Sequence, residues 1–309
     1  MKRFLWLPCL CLAVPSLLSA QEPNEAGGKA TNPPRELTLD LGKGVKLEMV
    51  FIPAGEFLMG SPDSDTDARD CEKPQHRVRI TRPFYLGKYQ VTQEQWEALM
   101  GNNPSHFRGS KNSVENVSWE DCQHFLAKLN AKIGTQGGKF VLPTEAQWEY
   151  ACRAGSKTKY HFGDNEDRLG DYAWYDGNST SFPPTHPGGE THPVGEKKPN
   201  ASGLYDTCGN VGEWCQDWYH GRYYAKSPTD NPTGPRTRTE RSSAIVLSKD
   251  SPTDRTEAPY TVFPMGTDRV TRGSSGFDNY THSRSAARHY AIGAFNFVGL
   301  RVARVLVDK

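Results

Sequence analysis

The stretch LPTEAQWEYA, residues 142–151, decides much of the fold that this chain can adopt. Thr144 stands three residues before Gln147, the spacing at which a hydroxyl cap and a polar side chain close the first turn of a helix. The same spacing recurs twice upstream, at Thr92 with Gln95 and at Ser118 with Asp121. Glycines at positions 101, 134 and 155 lie where the helices should end. The sequence therefore predicts three short helices.

Short runs rich in β-branched and aromatic residues lie around these helices and predict strands. The runs cover residues 47–52, 78–80, 84–91 and 299–307. The first and last of them come from opposite ends of the chain, and we expect both to join one sheet. Because the chain also carries 22 prolines and 29 glycines, the prediction is an α+β domain, rich in loops and poor in regular secondary structure.

The N-terminus has the pattern of a secretory signal peptide. Two basic residues precede an apolar run over residues 4–18, and small residues follow up to Ala20. An uncleaved membrane anchor is the alternative, but Pro8 and Pro15 interrupt a run that is shorter than the roughly 20 apolar residues needed to span a bilayer. We expect cleavage after Ala20, with residues 1–20 removed and the protein secreted or periplasmic.

The mature chain divides into a leader, one domain and an insertion. Residues 21–44 are poor in apolar groups and predict a flexible leader. The domain is expected to cover residues 45–307. Within it, residues 226–262 are rich in Ser, Thr, Pro and Arg and predict an insertion loop. Such a loop is either a mobile surface segment or a flap that faces a substrate or partner.

Charge and cysteine content narrow the classes of function. The 37 basic and 36 acidic residues nearly balance, so the chain lacks the positive electrostatic potential that attracts nucleic acid or an anionic membrane. This balance favours protein, peptide or small-molecule partners. Five cysteines remain after cleavage, and the spacing of Cys208 and Cys215 suits neither a redox pair nor a zinc knuckle. We expect a structural disulfide or buried thiols, and none of the five acting as a nucleophile.

Seven motifs occur in a fixed order between residues 45 and 307, and together they resemble the formylglycine-generating enzyme family, also called the sulfatase-modifying factor domain. They are IPAGEFLMGS (52–61), VTQEQW (91–96), LPTEAQWEYA (142–151), THPVG (191–195), PNASGLYD (199–206), GNVGEW (209–214) and VGLRVA (298–303). The resemblance implies a compact, loop-rich fold related to C-type lectins, with a groove able to hold a peptide, glycan or protein.

One part of the family pattern is missing. Members that oxidise a sulfatase cysteine to formylglycine use two thiols near the C-terminus, which bind copper, and the matching stretch here is RGSSGFDNYTHSRSAAR, residues 272–288. No cysteine follows Cys215 in this chain. Because soft Cu(I) prefers thiolate ligands, copper chemistry is not expected. The first hypothesis is a non-catalytic binding protein, and the alternative is an oxidoreductase acting in sulfatase maturation or in a different metal-dependent oxidation.

Other side chains of the C-terminal stretch are candidates for a groove. Asp278, His282 and His289 match the composition of the two-His, one-carboxylate set that holds non-haem iron, or they are hydrogen-bonded scaffold. Arg288 either lines the groove, where it would bind a carboxylate or carbonyl, or closes a buried ion pair. For Arg301, in the last predicted strand, we expect the buried ion pair.

A calcium site is implied by the resemblance in the loop from Asp206 to Glu213. The family binds the ion through a side chain at the position of Asp206, backbone carbonyls at Gly209 and Val211, and the carboxylate at Glu213. All four residues can supply the hard oxygen ligands that Ca²⁺ prefers. The alternative is that the polar residues of this loop only fix a turn.

Overall fold

All three predicted helices form, and each begins at its predicted cap. The side chains of Thr92, Ser118 and Thr144 each accept a hydrogen bond from the backbone N–H three residues on, and that third residue's side chain returns to the cap's own N–H. The backbone N–H of the cap and that of the third residue after it, which have no partner within the helix, are both satisfied in this way. In the computed structural model, which describes residues 1, 33–179, 189–236 and 268–307, the helices are α1 (Gln93–Met100), α2 (Trp119–Ile133) and α3 (Glu145–Arg153).

Strands in the described residues are short, with two to eight residues each. They are β1 (Glu36–Gly42), β2 (Val45–Ile52), β3 (Gly55–Met59), β4 (His76–Ile80), β5 (Phe84–Gly87), β6 (Lys139–Val141), β7 (Gly212–Trp218), β8 (Arg269–Arg272), β9 (His289–Ala291), β10 (Val298–Gly299) and β11 (Ala303–Val305). The α+β, loop-rich prediction is confirmed.

The two ends of the described domain meet in one five-stranded sheet, as predicted. The strand order is β1-β2-β5-β11-β6, so β5 separates the early strand β2 from the late strand β11. The β5 strand ends at Gly87, four residues before the predicted end at Val91, because the carbonyls of Gly87 and Lys88 accept hydrogen bonds from the guanidinium of Arg301. The remaining strands form a four-stranded sheet, β10-β7-β8-β9, and the pair β3-β4.

The sheet starts earlier in the chain than expected. Residues 36–42, assigned to the flexible leader, form β1 and pair antiparallel with β2. The reason is the alternation of Leu37, Leu39 and Leu41, which places apolar side chains on one face of the strand, with Leu41 only 1% exposed. The predicted signal peptide, the cleavage site and the leader up to residue 32 lie outside the described residues.

The predicted insertion is described only up to residue 236, and residues 237–262 lie outside the described part. Its first residues lie against the β3-β4 pair. The backbone carbonyl of Thr229 accepts a hydrogen bond from the backbone N–H of Arg79. The Arg79 guanidinium contacts the Asp230 carboxylate. This part of the predicted loop is therefore packed on the domain.

Two apolar cores lie on opposite faces of the five-stranded sheet. Leu47 and Met49 of β2 contribute to the core under α1 and α2, where the rings of Trp96 and Phe125 stack with centroids 5.1 Å apart. Val50 and Ile52 of the same strand belong to the core shared with α3 and the β3-β4 pair. Within the described residues, none of the helices combines the length and apolar character that crossing a bilayer requires.

Candidate functional site

The stretch that matches the family's catalytic segment is held by a network of hydroxyl, carboxylate and imidazole groups. It follows β8, and its centre is Asp278. One carboxylate oxygen, Oδ2, accepts from the Ser275 backbone N–H at 2.9 Å and from the Ser275 hydroxyl at 2.7 Å. The other, Oδ1, lies 3.2 Å from Nδ1 of His282. Burial opposes ionisation of Asp278, but the bonds from His282 and Ser275 outweigh it and lower its pKa.

His289 joins this network across the start of β9. Its ring lies edge-on to that of His282, with centroids 5.0 Å apart. Its Nε2 is buried and has no hydrogen-bond partner within the described residues. Burial, together with the nearby Arg69 guanidinium, lowers the pKa of His289 to about 3, so this imidazole is neutral at physiological pH. The structure therefore brings Asp278, His282 and His289 together.

Two of these three side chains, Asp278 and His282, form a hydrogen-bonded pair, and His289 contacts the ring of His282 through its own ring. Among residues 33–179, 189–236 and 268–307, no group of three or more His, Cys, Asp or Glu side chains is placed to hold a metal ion. His282 Nδ1 is engaged with Asp278 instead of being directed at a shared centre. The iron site stays a prediction, and the present geometry does not supply a ready ligand set for it.

Arg288 does not line a groove, and this part of the prediction needs correction. Its side chain is 1% exposed, and its guanidinium forms a bidentate ion pair with Glu145 at the start of α3, with Nε–Oε1 at 2.6 Å and Nη2–Oε2 at 2.9 Å. A third bond goes to the carbonyl of Cys71. Burial opposes its charge, but Glu145 outweighs this effect and raises the pKa of Arg288. The alternative interpretation, a buried ion pair, describes this residue.

The other two arginines of this stretch are anchored in the same manner. Arg272 lies 2.8 Å from Glu145 and 2.7 Å from Glu149, all three being buried. Arg284 lies 2.7 Å from Glu72 in the loop after β3. All three guanidiniums of the stretch thus point into the protein, where they hold the segment in place.

The described cysteines offer no exposed pair of thiols. Cys122, Cys152, Cys208 and Cys215 are each at most 1% exposed, and Cys71 is half-buried. The thiols of Cys152 and Cys208 form a hydrogen bond with each other, which lowers the pKa of Cys152 and raises that of Cys208. No disulfide joins the described cysteines in this structure. The expectation of buried thiols fits this arrangement.

Large side chains are exposed in the C-terminal part of the chain that carries the Asp278 network. In the described residues they include Tyr280, Tyr290, Ile292 and Phe297, with Tyr290 at 55% exposure. His282 and Asp278, in the same part of the chain, are about one-third exposed. We refer to Asp278, Tyr280, His282, His289 and Tyr290 as the C-terminal face. It combines aromatic rings with polar groups, a composition common in protein-binding surfaces.

Four oxygens of the loop predicted to bind calcium are directed at one centre, and the side-chain amide of Gln90 occupies that centre. Nε2 of Gln90 lies 3.1 Å from the Asp206 carbonyl, 3.2 Å from that of Gly209, 2.8 Å from that of Val211 and 3.0 Å from Oε1 of Glu213. Asp206 contributes its backbone and not its side chain, whose Oδ2 accepts from the Gly195 N–H. The four predicted residues therefore form a cradle of oxygens around Gln90.

The carboxylate of this cradle is already neutralised. Nη2 of Arg301 lies 2.7 Å from Oε1 of Glu213, and the Trp148 indole donates to Oε2 at 2.7 Å. Glu213 and Arg301 are both 0% exposed. The expected buried ion pair of Arg301 is present. By contrast, Oδ1 of Asp206 is buried without a partner among the described residues, and burial raises the pKa of this group to about 6.

Gln90 is not among the residues predicted from the sequence, although a polar side chain at its position in a predicted strand indicates a buried hydrogen-bonding role. It lies in the predicted strand 84–91, directly before the Val91-Thr92 start of a helix, and it is 0% exposed. A buried glutamine needs partners for two donors and an acceptor. The sequence does not reveal that those partners are carbonyls more than one hundred residues away.

A separate surface pocket of about 530 Å³ lies between α2, β6 and the end of the chain. Its lining includes Phe84, Gln123, Leu126, Phe140 and Leu306. None of the residues predicted for the groove or for the calcium site contributes to it. The pocket is therefore distinct from the C-terminal face.

Comparison with known proteins establishes the class of this chain. Residues 42–306 match the family described as sulfatase-modifying factor enzyme 1-like domain. The chain belongs to this family, as its motifs indicated, and the match covers nearly the whole described domain.

Individual relatives differ in their described roles. The chaperone protein LppX of Paenibacillus barcinonensis is 35% identical over 178 residues, which are 44% of this chain and 62% of that protein, so less than two thirds of its length is matched. The formylglycine-generating enzyme of Thermomonospora curvata is 30% identical over 268 residues, 67% of this chain and 83% of the enzyme.

Solved structures confirm the fold. Treponema denticola variable protein 1 superposes with a TM-score of 0.69 at 28% identity and covers 88% of this chain and 99% of its own. PvdO from Pseudomonas aeruginosa gives a TM-score of 0.68 at 26% identity, with 89% and 100% covered. The likeness to C-type lectins stays a prediction.

Proposed function

We propose that this chain is an exported member of the sulfatase-modifying factor family that binds a peptide or protein partner without oxidising it. The observation that carries the proposal is the lack of any cysteine in residues 216–309. The cysteines in the described residues before that point are buried, with Cys71 half-buried. Copper-dependent formylglycine formation needs two accessible thiolates, because Cu(I) prefers soft ligands. Serine, aspartate and histidine are poor substitutes for that purpose.

The C-terminal face supports binding as the remaining role. Tyr280 and Tyr290 are exposed in the same C-terminal part of the described chain as Asp278 and His282, and arginines of that part are anchored to buried carboxylates of the domain. Aromatic side chains presented by a rigid segment are the usual anchors of a partner. A relative described as a chaperone is consistent with a protein or peptide as the partner.

Two measurements test this proposal on residues 21–309. In the first, the purified protein is incubated with a peptide containing the sulfatase motif Cys-x-Pro-x-Arg, oxygen, a reductant and either copper or iron, and the peptide is followed by mass spectrometry. We expect no formylglycine. Conversion of the cysteine would refute the non-catalytic role.

In the second measurement, peptides selected from a random display library are tested against the double variant Tyr280→Ala, Tyr290→Ala. We expect a loss of affinity of about tenfold or more, since anchor residues cost above roughly 1.4 kcal/mol when truncated. Leu58→Ala is the matched control, because Leu58 is 47% exposed on β3. Selection of glycans in place of peptides on an array would change the partner class, and equal losses in both variants would remove the C-terminal face from the proposal.

A different metal-dependent oxidation is the second candidate. Asp278, His282 and His289 lie close together, which motivates it, although within the described residues they are not placed as a ligand set. Its test is the iron content of the purified protein. If iron is present and falls when His282 and His289 are both replaced by alanine, an enzymatic role at this site gains support. Iron content that is unchanged by the double replacement would remove the candidate.

A further inference from the structure

Gln90 occupies the position that a calcium ion would need. Ca²⁺ takes six to eight oxygen ligands at about 2.3–2.6 Å. The four oxygens of the cradle lie 2.8–3.2 Å from Nε2 of Gln90, so an ion cannot enter while the amide remains. The set as placed therefore does not fit calcium, although its oxygens are of the correct kind.

The hydrogen bonds behind Gln90 fix which end of its amide faces the cradle. The backbone N–H of His192 can only donate, and it donates to Oδ1 of Asn210 at 2.9 Å. The Asn210 amide nitrogen must therefore be the atom that donates to Oγ of Ser113 at 2.9 Å. The Ser113 hydroxyl can accept a second bond, but its own proton also needs an acceptor, and Oε1 of Gln90 lies 2.6 Å away. With the amide reversed, Ser113 would accept twice and this buried proton would have no acceptor among the contacts of the described residues. The network therefore favours the Gln90 nitrogen inward.

The opposite orientation has a clear electrostatic cost. With its oxygen inward, the amide would add a fifth oxygen to four others with no proton between them. Such a cluster is stable only around a cation. The two orientations of one side chain thus correspond to a metal-free cradle and a metal-bound cradle, and the network selects the first.

The charge balance of the site points in the same direction. Glu213 is the one carboxylate in the cradle, and the buried guanidinium of Arg301 already neutralises it. A divalent ion beside Glu213 would lie close to that guanidinium, which is fully buried, and like charges repel most strongly where water is excluded. An uncharged N–H donor satisfies the oxygens without this repulsion.

We propose that the Gln90 amide replaces the calcium ion in this chain, so that the loop from residue 206 to residue 213 holds its conformation without a metal. Gln90 is then a structural substitute for a cation, and calcium is not required for folding. The proposal concerns only this loop, and it stands or falls independently of partner binding at the C-terminal face.

The test compares thermal unfolding in EDTA and in millimolar CaCl₂ for residues 21–309 and for Gln90→Glu. The natural chain should show the same Tm in both and no heat of calcium binding by titration calorimetry. In Gln90→Glu, a second carboxylate enters the cradle, so we expect a lowered Tm in EDTA that calcium raises by about 5 °C or more. The matched control is Gln93→Glu, since Gln93 is also buried and donates to the Phe107 carbonyl, but lies outside the cradle.

Each result decides the matter. Calcium binding or calcium stabilisation of the natural chain would show that the amide does not replace the ion. A Gln90→Glu variant that calcium fails to stabilise, or that stays unfolded with calcium, would show that the position is not equivalent to a cation site. Calcium rescue of Gln93→Glu to the same extent would also overturn the assignment, because the effect would then not belong to the cradle.

Discussion

Glu145 and Arg288 are 143 positions apart in the sequence, yet their side chains form a bidentate ion pair with both residues almost fully buried. The pair joins the first turn of α3 to the segment just before β9. Arg272 reaches the same carboxylate from β8 at 2.8 Å. The beginning of one helix is thus the anchor for the segment that carries the C-terminal face.

Replacing Arg288 with alanine should destabilise the protein by about 3–5 kcal/mol, because it leaves Glu145 buried with part of its charge uncompensated. Urea unfolding followed by circular dichroism measures the change. Arg77→Ala provides the comparison, since Arg77 is 68% exposed and pairs with Glu56 at the surface, where a pair contributes below about 1 kcal/mol. Similar losses for the two variants would contradict the structural role of Arg288.

Asp217 should make the protein less stable as the pH rises. Burial, followed by the nearby Glu145 carboxylate, raises its pKa to about 8 from 3.8. Between these values the folded state retains a proton that the unfolded chain releases, so the free energy of unfolding falls with rising pH, by up to about 1.4 kcal/mol per unit. Asp217→Asn keeps an oxygen for the N–H of Glu145 and should flatten the profile.

The measurement for Asp217 is urea unfolding at several pH values between 5 and 8, a window that follows from the two pKa values. Asp217→Asn should exceed the natural protein in stability at the upper end of that window. Some slope will remain, because burial also raises the pKa of Glu115 to about 7. Asp63→Asn, at an exposed position, should leave the profile unchanged. A profile for Asp217→Asn that parallels the natural one would refute the prediction.

Thiol reactivity should be confined to one cysteine in the folded protein. A disulfide reagent such as Ellman's should react quickly with Cys71 alone, which is half-buried, and with all five cysteines of residues 21–309 only after unfolding. The other four are shielded, and burial raises the pKa of Cys122 and Cys215 and so suppresses the thiolate. Cys71→Ser should abolish the fast reaction. Rapid labelling of a second thiol would show that the buried set is accessible.

Ser118→Ala should cost about 1 kcal/mol, because the hydroxyl that accepts from the Asp121 N–H at 3.1 Å caps α2. Chemical unfolding is again the measurement. Ser110→Ala is the control, since Ser110 is exposed and, among the described residues, its one hydrogen bond is accepted by its backbone carbonyl from the Glu94 N–H. An equal effect of the two changes would mean that the cap does not stabilise the helix.

Local signals in the sequence were sufficient for the three helices and for the runs that overlap β2, β4, β5, β10 and β11, whereas the other six strands of the described residues were not predicted. A capping box involves residues three apart, so Thr144 and Gln147 reveal it directly. The β1 strand differs from the predicted leader because the polar composition ends before residue 36, where the alternation of Leu37, Leu39 and Leu41 begins.

Contacts distant in sequence could not be predicted in the same way. The sequence is compatible with two roles for Arg288, because nothing near it in the chain indicates that its partner is Glu145. The four residues predicted to bind calcium lie in a single loop and their oxygens do lie together, with Asp206 contributing its backbone carbonyl in place of its side chain, but the calcium site itself stays a prediction and the side chain at the centre was not predicted. Gln90 comes from a different element more than one hundred residues earlier, and only the fold brings it to that loop.

The placement of the three buried arginines has a consequence for biosynthesis. Their carboxylate partners, Glu72, Glu145 and Glu149, are all translated well before Arg272, Arg284 and Arg288. A nascent chain cannot complete these ion pairs until residues 272–288 have left the ribosome, because contacts of such long sequence separation form late. Glu149 already has Arg153 as a nearby partner, but Glu72 and Glu145 depend on the later arginines for their main ion pairs. A chain cut before residue 272 would therefore leave acidic groups in a half-built interior and become a substrate for proteolysis.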